Sequence, residues 1–193
     1  MYDAIPDPYC YAGTTVLRNR AGLRNQSALD AFELDMTTQR ASEPLPGGRL
    51  GVAHYMAIHR HLFGDGYRWA GRPRTVRIAK AGSLFAYPET IAREMDRLFA
   101  DLRKRHHLSD LAATDFAREA AHFLAELNAI HPFREGNGRT SLAFLALLAS
   151  RAGHPLDLNR LHPDDMLRAA IDSFQGWNTR LEAVIAQLIA GQL

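Results

Sequence analysis

Residues 131–139 read His-Pro-Phe-Arg-Glu-Gly-Asn-Gly-Arg, and the most apolar run of the chain, residues 142–149, follows almost directly. A glycine-containing turn that leads into a helix leaves backbone N–H groups unpaired at the helix N-terminus, where the helix dipole also favours an anion. Gly136 and Gly138 let the backbone approach a ligand closely. The stretch therefore predicts an anion-binding site at the start of a helix.

Three side chains of the same stretch suit phosphoryl chemistry on a nucleotide. Glu135 is a hard oxygen ligand that can hold a divalent cation on phosphates, and Arg139 can donate two hydrogen bonds to phosphate oxygens. His131 is a candidate general base, because histidine titrates near neutral pH. Taken singly, each residue also fits a plain structural role, as a helix end, a solvated carboxylate or a simple turn. Their conjunction favours a ligand site.

The segment resembles the signature of Fic-domain proteins, His-x-Phe-x-(Asp/Glu)-Gly-Asn-Gly-Arg-x-x-Arg, at every defined position except the last, where Leu142 stands. The similarity extends beyond this signature. Residues 62–78 resemble the segment that leads into the Fic flap, and residues 7–19 resemble the start of compact bacterial Fic proteins. The resemblance thus covers essentially the whole chain.

The resemblance implies a protein adenylyltransferase, which transfers AMP from ATP to a Ser, Thr or Tyr hydroxyl of a target protein and releases pyrophosphate. In this scheme His131 is the catalytic residue that takes the hydroxyl proton, and Glu135 is the metal ligand that holds Mg²⁺ between the α- and β-phosphates. The implied phosphate-binding residues are Gly136, Asn137, Gly138 and Arg139. Phe133 is expected to point inward as an apolar anchor, and Arg134 is expected to face solvent or the target.

Leu142 departs from the family pattern. Residues 139 and 142 lie on one helix face, and the resemblance implies two arginines there that grip the polyphosphate. Loss of one charge-assisted bond costs roughly 1.5–3 kcal/mol. Three alternatives follow: a weakened adenylyltransferase, a transferase that uses a different nucleotide donor, or a nucleotide-binding pseudoenzyme that acts by partner binding. Four basic side chains could compensate, of which Lys80 is the preferred candidate: Arg77, Lys80, Arg168 and Arg180.

Apolar periodicity predicts a mostly all-α chain, and the resemblance implies the Fic fold, a helical bundle around a buried central helix. Helices are predicted over 27–42, 50–63, from Pro88 onward, 116–130, 139–152, 163–174 and 178–190. The helix that follows the motif is apolar on most sides, so it is predicted to be the central one. Residues 1–193 are interpreted as a single Fic domain without a second domain.

Residues 74–87 interrupt the helical pattern. Residues 75–78 alternate like a strand, residues 81–83 form a turn, and a second short strand follows at 84–85. The resemblance implies that this hairpin is the flap, along which a protein target docks by strand addition. The alternative is a hairpin that merely covers the core.

Composition limits the other possibilities. A net charge of +2 gives no case for a nucleic-acid partner, and the single cysteine excludes an intrachain disulfide or a cysteine-based zinc site. The N-terminus lacks the pattern of a signal peptide, and the apolar run is too short to span a bilayer. The chain is predicted to be a cytoplasmic protein without a membrane partner, with export into a host or neighbouring cell left open.

The resemblance also predicts how the activity is inhibited. Many Fic proteins carry an inhibitory helix with the pattern (Ser/Thr)-x-x-x-Glu-(Gly/Asn), and neither end of this chain matches it. The resemblance therefore implies a toxin or effector of the compact type, whose inhibitor, where one exists, is a separate small antitoxin-like protein.

Overall fold

Helices dominate the structure, a computed structural model that describes residues 7–80 and 83–189. In this part of the chain the helices are α1 (Gln26–Ser42), α2 (Val52–Phe63), α3 (Ile91–Lys104), α4 (Ala113–Ile130), α5 (Asn137–Arg151), α6 (Pro163–Phe174) and α7 (Thr179–Leu188). Strands β1 (Ala79–Lys80) and β2 (Ser83–Leu84) lie between α2 and α3. Short 3-10 turns occupy Pro88–Thr90, His106–Leu108 and Leu158–Arg160.

Local signals account for several helix ends. Asn25 caps α1, because its side-chain oxygen accepts a hydrogen bond from the backbone N–H of Ala28 at 3.0 Å. Pro163 opens α6, where its fixed φ suits the first helical position and its missing N–H costs nothing. Gly153 follows α5 with a φ of 84°, the left-handed conformation that commonly ends a helix.

The central helix is α4, so the prediction that α5 would be central is wrong. Helix α4 packs against α3, α5, α6 and α7, whereas α5 packs mainly against α2 and α4. The sequence of α5 is apolar on most sides, but Leu142 and Leu147 on it are only half-buried. Leu142 lines a cavity between α4, α5 and α6. The apolar residues around α5 therefore predicted more burial than the structure has.

The core joins the motif to the helices through aromatic side chains. Tyr55 of α2 stacks on Phe133 of the motif at 5.4 Å and meets Phe144 of α5 edge-on at 5.6 Å. Phe99 of α3 and Phe123 of α4 complete this group, each within 6 Å of Phe144. Such ring pairs prefer stacked and edge-to-face arrangements, which fix relative orientation as well as distance. The motif loop is therefore anchored in the core.

The strands are shorter than predicted and begin later. They pair antiparallel, with Ala79 opposite Leu84, and residues 75–78 do not form the expected strand. The guanidinium of Arg74 donates to the carbonyl of Val76 at 2.7 Å, which bends the chain back on itself just where strand pairing would begin. The predicted turn at 81–82 lies outside the described residues.

Among the described helices, none is both long enough and apolar enough to cross a bilayer.

Candidate active site

His131 ends α4 in the left-handed conformation, with φ 49° and ψ 63°. Its Nδ1 lies 3.3 Å from the carbonyl oxygen of Asn128, one of the last-turn carbonyls that α4 leaves unpaired. A carbonyl oxygen can only accept, so Nδ1 carries the proton of the neutral ring and Nε2 keeps its lone pair. The local helix end thereby selects the tautomer that a general base needs.

One aromatic side chain covers the imidazole, and a second packs against the first. Phe85, which follows β2, stacks on the His131 ring with a centroid distance of 3.8 Å and an angle of 18°. Phe174 of α6 meets the Phe85 ring edge-on at 5.5 Å. His131 is consequently 6% exposed. Phe85 had no role in the sequence analysis, because the stacking joins two segments that are distant along the chain.

The motif loop is held by its own asparagine. The Asn137 side chain accepts from the backbone N–H of Phe133 and donates to the carbonyl of Phe133, both at 2.9 Å. Phe133 is fully buried between the rings of His59 and Tyr55, which confirms the predicted apolar anchor. The amide of Asn137 therefore shapes the loop, and only its backbone N–H is left for an anion.

A buried histidine supports the loop from α2. His59 accepts a hydrogen bond from the backbone N–H of Gly71 at Nδ1, at 2.8 Å, so its Nε2–H donates to the carbonyl of Glu135 at 3.0 Å. Burial lowers the pKa of His59 to about 4, and the ring is neutral at physiological pH. His59 is fully buried in the core beneath the motif.

The N-terminus of α5 is open. Gly136 precedes the helix with a φ of 83°, and a Cβ there would lie 2.4 Å from ring carbons of Phe63. Within the described residues no side chain caps this helix, so the first-turn N–H groups of Asn137, Gly138 and Arg139 have no capping acceptor. Together with the helix dipole, these N–H groups suit an anion, and the anion site stays a prediction.

A cavity of about 380 Å³ adjoins this helix end. Gly138, Arg139 and Leu142 form one wall. The remaining lining is mainly apolar and comes largely from α6 and its approach, including Leu161, Pro163, Met166, Leu167 and Ala170. An apolar hollow beside an anion site suits a ligand with a flat base at one end and phosphates at the other.

Glu135 and Arg139 form part of a charged network with α1. Arg139 pairs with Glu33, donates to Thr37 at 3.3 Å and lies 3.7 Å from Glu135. Glu33 also accepts from the hydroxyl of Tyr67. Arg139 stays partly exposed and its guanidinium lies over the Phe63 ring. Glu33 and Tyr67 are functional neighbours that sequence reasoning missed, since nothing local marks them.

The protonation of Glu135 depends on its surroundings. Burial raises the pKa of Glu135, the nearby Glu33 adds to the rise, and the bond from the Gly136 N–H at 2.8 Å opposes it. No group of three His, Cys, Asp or Glu side chains able to hold a metal occurs in the described ranges. A single carboxylate is nevertheless the donor set that Mg²⁺ uses when substrate phosphates supply further ligands.

The remaining predicted residues have different outcomes. Arg134 does not face solvent: it is 3% exposed and forms an ion pair with Asp7 at 2.7 Å, which ties the N-terminal segment to the motif. That prediction was wrong because the pairing acid is distant along the chain. The backbone of Lys80 belongs to β1, but its side chain lies outside the described residues.

Comparison with known proteins adds independent evidence. The model of the Fic/DOC family matches residues 49–149, more than half of the chain. The probable protein adenylyltransferase y4lH of Sinorhizobium fredii is 52% identical over 189 residues, which span 97% of this chain and 98% of that protein. The protein adenylyltransferase VbhT of Bartonella schoenbuchensis is 37% identical over 95% of this chain, which covers 39% of that longer protein.

A solved structure agrees with these relatives. The BepC effector of Bartonella tribocorum, crystallised with bound AMPPNP, superposes with a TM-score of 0.86 at 28% identity, over 96% of this chain and 97% of that chain. The predicted mostly helical Fic fold is confirmed by this likeness.

Proposed function

This chain belongs to the Fic/DOC family, and we propose that it is a protein adenylyltransferase that transfers AMP from ATP to a Ser, Thr or Tyr hydroxyl of a target protein. The main observation behind the proposal is that the end of α4 and the start of α5 flank the same loop. An imidazole with its proton held on Nδ1 closes α4, and an uncapped helix N-terminus opens α5 beside a cavity. Residues 1–193 are proposed to form one Fic domain.

Nucleotide binding would use the cavity and the helix end together. The apolar wall of α6 would receive the base, and the N–H groups of Asn137, Gly138 and Arg139 would receive phosphate oxygens. The guanidinium of Arg139 lies at the same wall and can turn toward the phosphates. Glu135 is the carboxylate directly before this helix end, and it is proposed as the Mg²⁺ ligand. When bound, Mg²⁺ would neutralise charge on the departing pyrophosphate.

Proton transfer is assigned to His131. Its Nε2 accepts the proton of the target hydroxyl, and the hydroxyl oxygen attacks the α-phosphorus of ATP. The bond between the α-phosphorus and its bridging oxygen then breaks, and pyrophosphate leaves. The Asn128 carbonyl at Nδ1 stabilises the imidazolium that forms, because a protonated ring donates there more strongly. The chain's own contribution is thus mainly orientation and electrostatics.

The strands are the proposed docking site for the protein target. The strands β1 and β2 form a pair of two-residue strands next to His131, and Leu84 on them is 58% exposed. An exposed strand edge can align an extended target segment, so residues 74–87 are proposed as the flap. A separate antitoxin-like inhibitor and a cytoplasmic location, with export into a host or neighbouring cell left open, are also part of the proposal.

Labelling with ATP tests the function. The chain would be incubated with α-labelled ATP, Mg²⁺ and a bacterial lysate, beside His131→Ala and the control His154→Ala, whose parent side chain binds the Leu111 carbonyl away from the motif. Label on a protein band with the parent and the control, but not with His131→Ala, is the expected result. Equal labelling by all three proteins would remove His131 from the mechanism.

A nucleotide-binding pseudoenzyme is the second candidate function. Leu142 and the engagement of Arg139 by Glu33 favour it, because both reduce the positive charge available to a triphosphate. Calorimetry that shows ATP binding, together with no pyrophosphate release in the presence of lysate, would select this candidate over the first.

A further inference from the structure

The segment that returns from β2 to α3 contacts His131 directly. Phe85 is 7% exposed, and its ring lies parallel to the imidazole at 3.8 Å. The hydrogen bond from Nδ1 of His131 to the Asn128 carbonyl is 3.3 Å long, beyond the usual range for N–H···O bonds. A long hydrogen bond restrains ring rotation weakly. The stacked ring adds a restraint on the plane of the imidazole.

Phe85 is itself held in place. Its ring packs edge-on against Phe174 of α6 at 5.5 Å and 84°. The neighbouring Ala86 donates its backbone N–H to the carbonyl of Ala129 in α4 at 3.1 Å. Contacts with α4 and α6 thus leave the Phe85 ring little freedom to move away from the imidazole.

The backbone beneath the imidazole is held from the same segment. Arg74 is 2% exposed and donates from Nε to the His131 carbonyl at 2.8 Å. Its other N–H groups donate to the carbonyls of Ile130 at 3.3 Å, Val76 at 2.7 Å and Ala86 at 2.6 Å. These bonds satisfy carbonyls at the end of α4 and join them to both sides of the strand pair. A left-handed histidine costs energy, so surrounding bonds of this kind are needed to maintain it.

From these contacts we infer that Phe85 is a positioning residue for His131, acting on the ring while Arg74 holds the backbone that carries it. The inference rests on the proposed function, in which Nε2 must face the target hydroxyl. Stacking holds the plane of the ring and hinders its rotation, which helps to keep Nδ1 at the Asn128 carbonyl. Removing the stacked ring would let the imidazole rotate and would lower the fraction of productive molecules.

The variant Phe85→Leu tests this inference, with Phe85→Tyr as the conservative variant and Phe123→Leu as the matched control. Phe123 is a buried aromatic of α4 that packs on Phe99 and Phe144. Arg74→Met would leave buried carbonyls without donors and is expected to unfold the chain, so the test relies on Phe85.

The first measurement is independent of activity. Long-range ¹H–¹⁵N spectra of ¹⁵N-histidine-labelled protein report the tautomer of each ring, with the His131 signals assigned by their loss in His131→Asn. The parent, Phe123→Leu and Phe85→Tyr should show His131 protonated on Nδ1 alone. Phe85→Leu should show averaged nitrogen signals. An unchanged His131 spectrum in Phe85→Leu, or the same averaging in Phe123→Leu, overturns the inference.

The second measurement is turnover, followed as pyrophosphate release from Mg·ATP with lysate protein as the acceptor. Phe85→Leu should lower kcat about tenfold to a hundredfold with KM for ATP within about twofold, because misplacing a reacting group by 1 Å has effects of this order. Phe123→Leu should lose comparable thermal stability while keeping kcat. An unchanged kcat in Phe85→Leu overturns the positioning role. No turnover in the parent would refute the proposed function, and the spectra would still decide how Phe85 acts on His131.

Discussion

His59 on α2 donates a hydrogen bond from Nε2 to the backbone carbonyl of Glu135, at 3.0 Å. Its other ring nitrogen accepts from the backbone N–H of Gly71, at 2.8 Å, so the neutral ring links two loops across the core. The ring also stacks on Phe133 with a centroid distance of 3.6 Å. The buried His59 side chain therefore fixes the position and the direction of the peptide that leads into α5.

Acid should destabilise the fold through His59. Burial lowers the pKa of His59 to about 4 from the usual 6.5, so the unfolded chain binds the proton first as the pH falls. Stability that is complete above pH 6.5 should decrease between 6.5 and 4, by about 3 kcal/mol in total. Urea unfolding across this pH range measures the loss. In His59→Gln, whose amide can make both hydrogen bonds, this part of the pH dependence should vanish; an unchanged slope would assign it to other groups.

Neutralising Glu33 should strengthen ATP binding. Glu33 pairs with Arg139 and so competes with phosphate for the guanidinium. Glu33→Gln should tighten the Kd of Mg·ATP about threefold to tenfold, measured by isothermal titration calorimetry.

Asp30→Asn is the matched control for Glu33→Gln. Asp30 lines the same cavity as Glu33 and accepts from Gln26, so its variant removes an equal charge away from Arg139. It should leave the affinity nearly unchanged. Weaker binding in Glu33→Gln would instead mean that the carboxylate is needed to orient Arg139.

The two motif glycines should respond differently to alanine. Gly136 has a φ of 83° and its added Cβ would lie 2.4 Å from the Phe63 ring, so Gly136→Ala should cost about 3 kcal/mol or more in the free energy of unfolding. Gly138 lies within the helix with no atom within 4 Å of an added Cβ. Gly138→Ala should therefore stabilise the fold by up to about 1 kcal/mol.

ATP binding should be weaker in Gly138→Ala. Gly138 lines the cavity, so the methyl group of Gly138→Ala would intrude on a bound phosphate while the fold stays intact. The Kd of ATP should rise about tenfold or more, equivalent to about 1.4 kcal/mol. Unchanged affinity in this stable variant would show that the phosphates do not approach the first turn of α5.

Restoring an arginine at position 142 should improve binding. Leu142 lines the cavity one turn from Arg139 on the same face, so Leu142→Arg would add a second guanidinium beside the phosphates. The gain should be about tenfold to a hundredfold in ATP affinity, the equivalent of one charge-assisted bond. Leu142→Met controls for changed packing and should have no such effect. If Leu142→Arg binds ATP no better than the parent, the donor does not extend past Arg139.

Much of the site could be predicted because its signals are local. The glycines, the histidine before proline and the apolar run lie within one short stretch, and helix capping and dipole effects act over a single turn. The approximate limits predicted for α6, residues 163–174, agree with the structure, since Pro163 favours a helix start. The prediction that α5 is the central helix failed, because part of its apolar surface lines a cavity.

The sequence by itself determined the family, the helical class and the order of the chemical groups in the motif, because each depends on residues a few positions apart. Only the tertiary structure decided what holds those groups in place. Glu33 and Arg139 are 106 positions apart, and Arg74 and His131 are 57 apart. Such long-range contacts depend on how the helices pack. Helix packing depends on all the core side chains together, so no local sequence pattern predicts it.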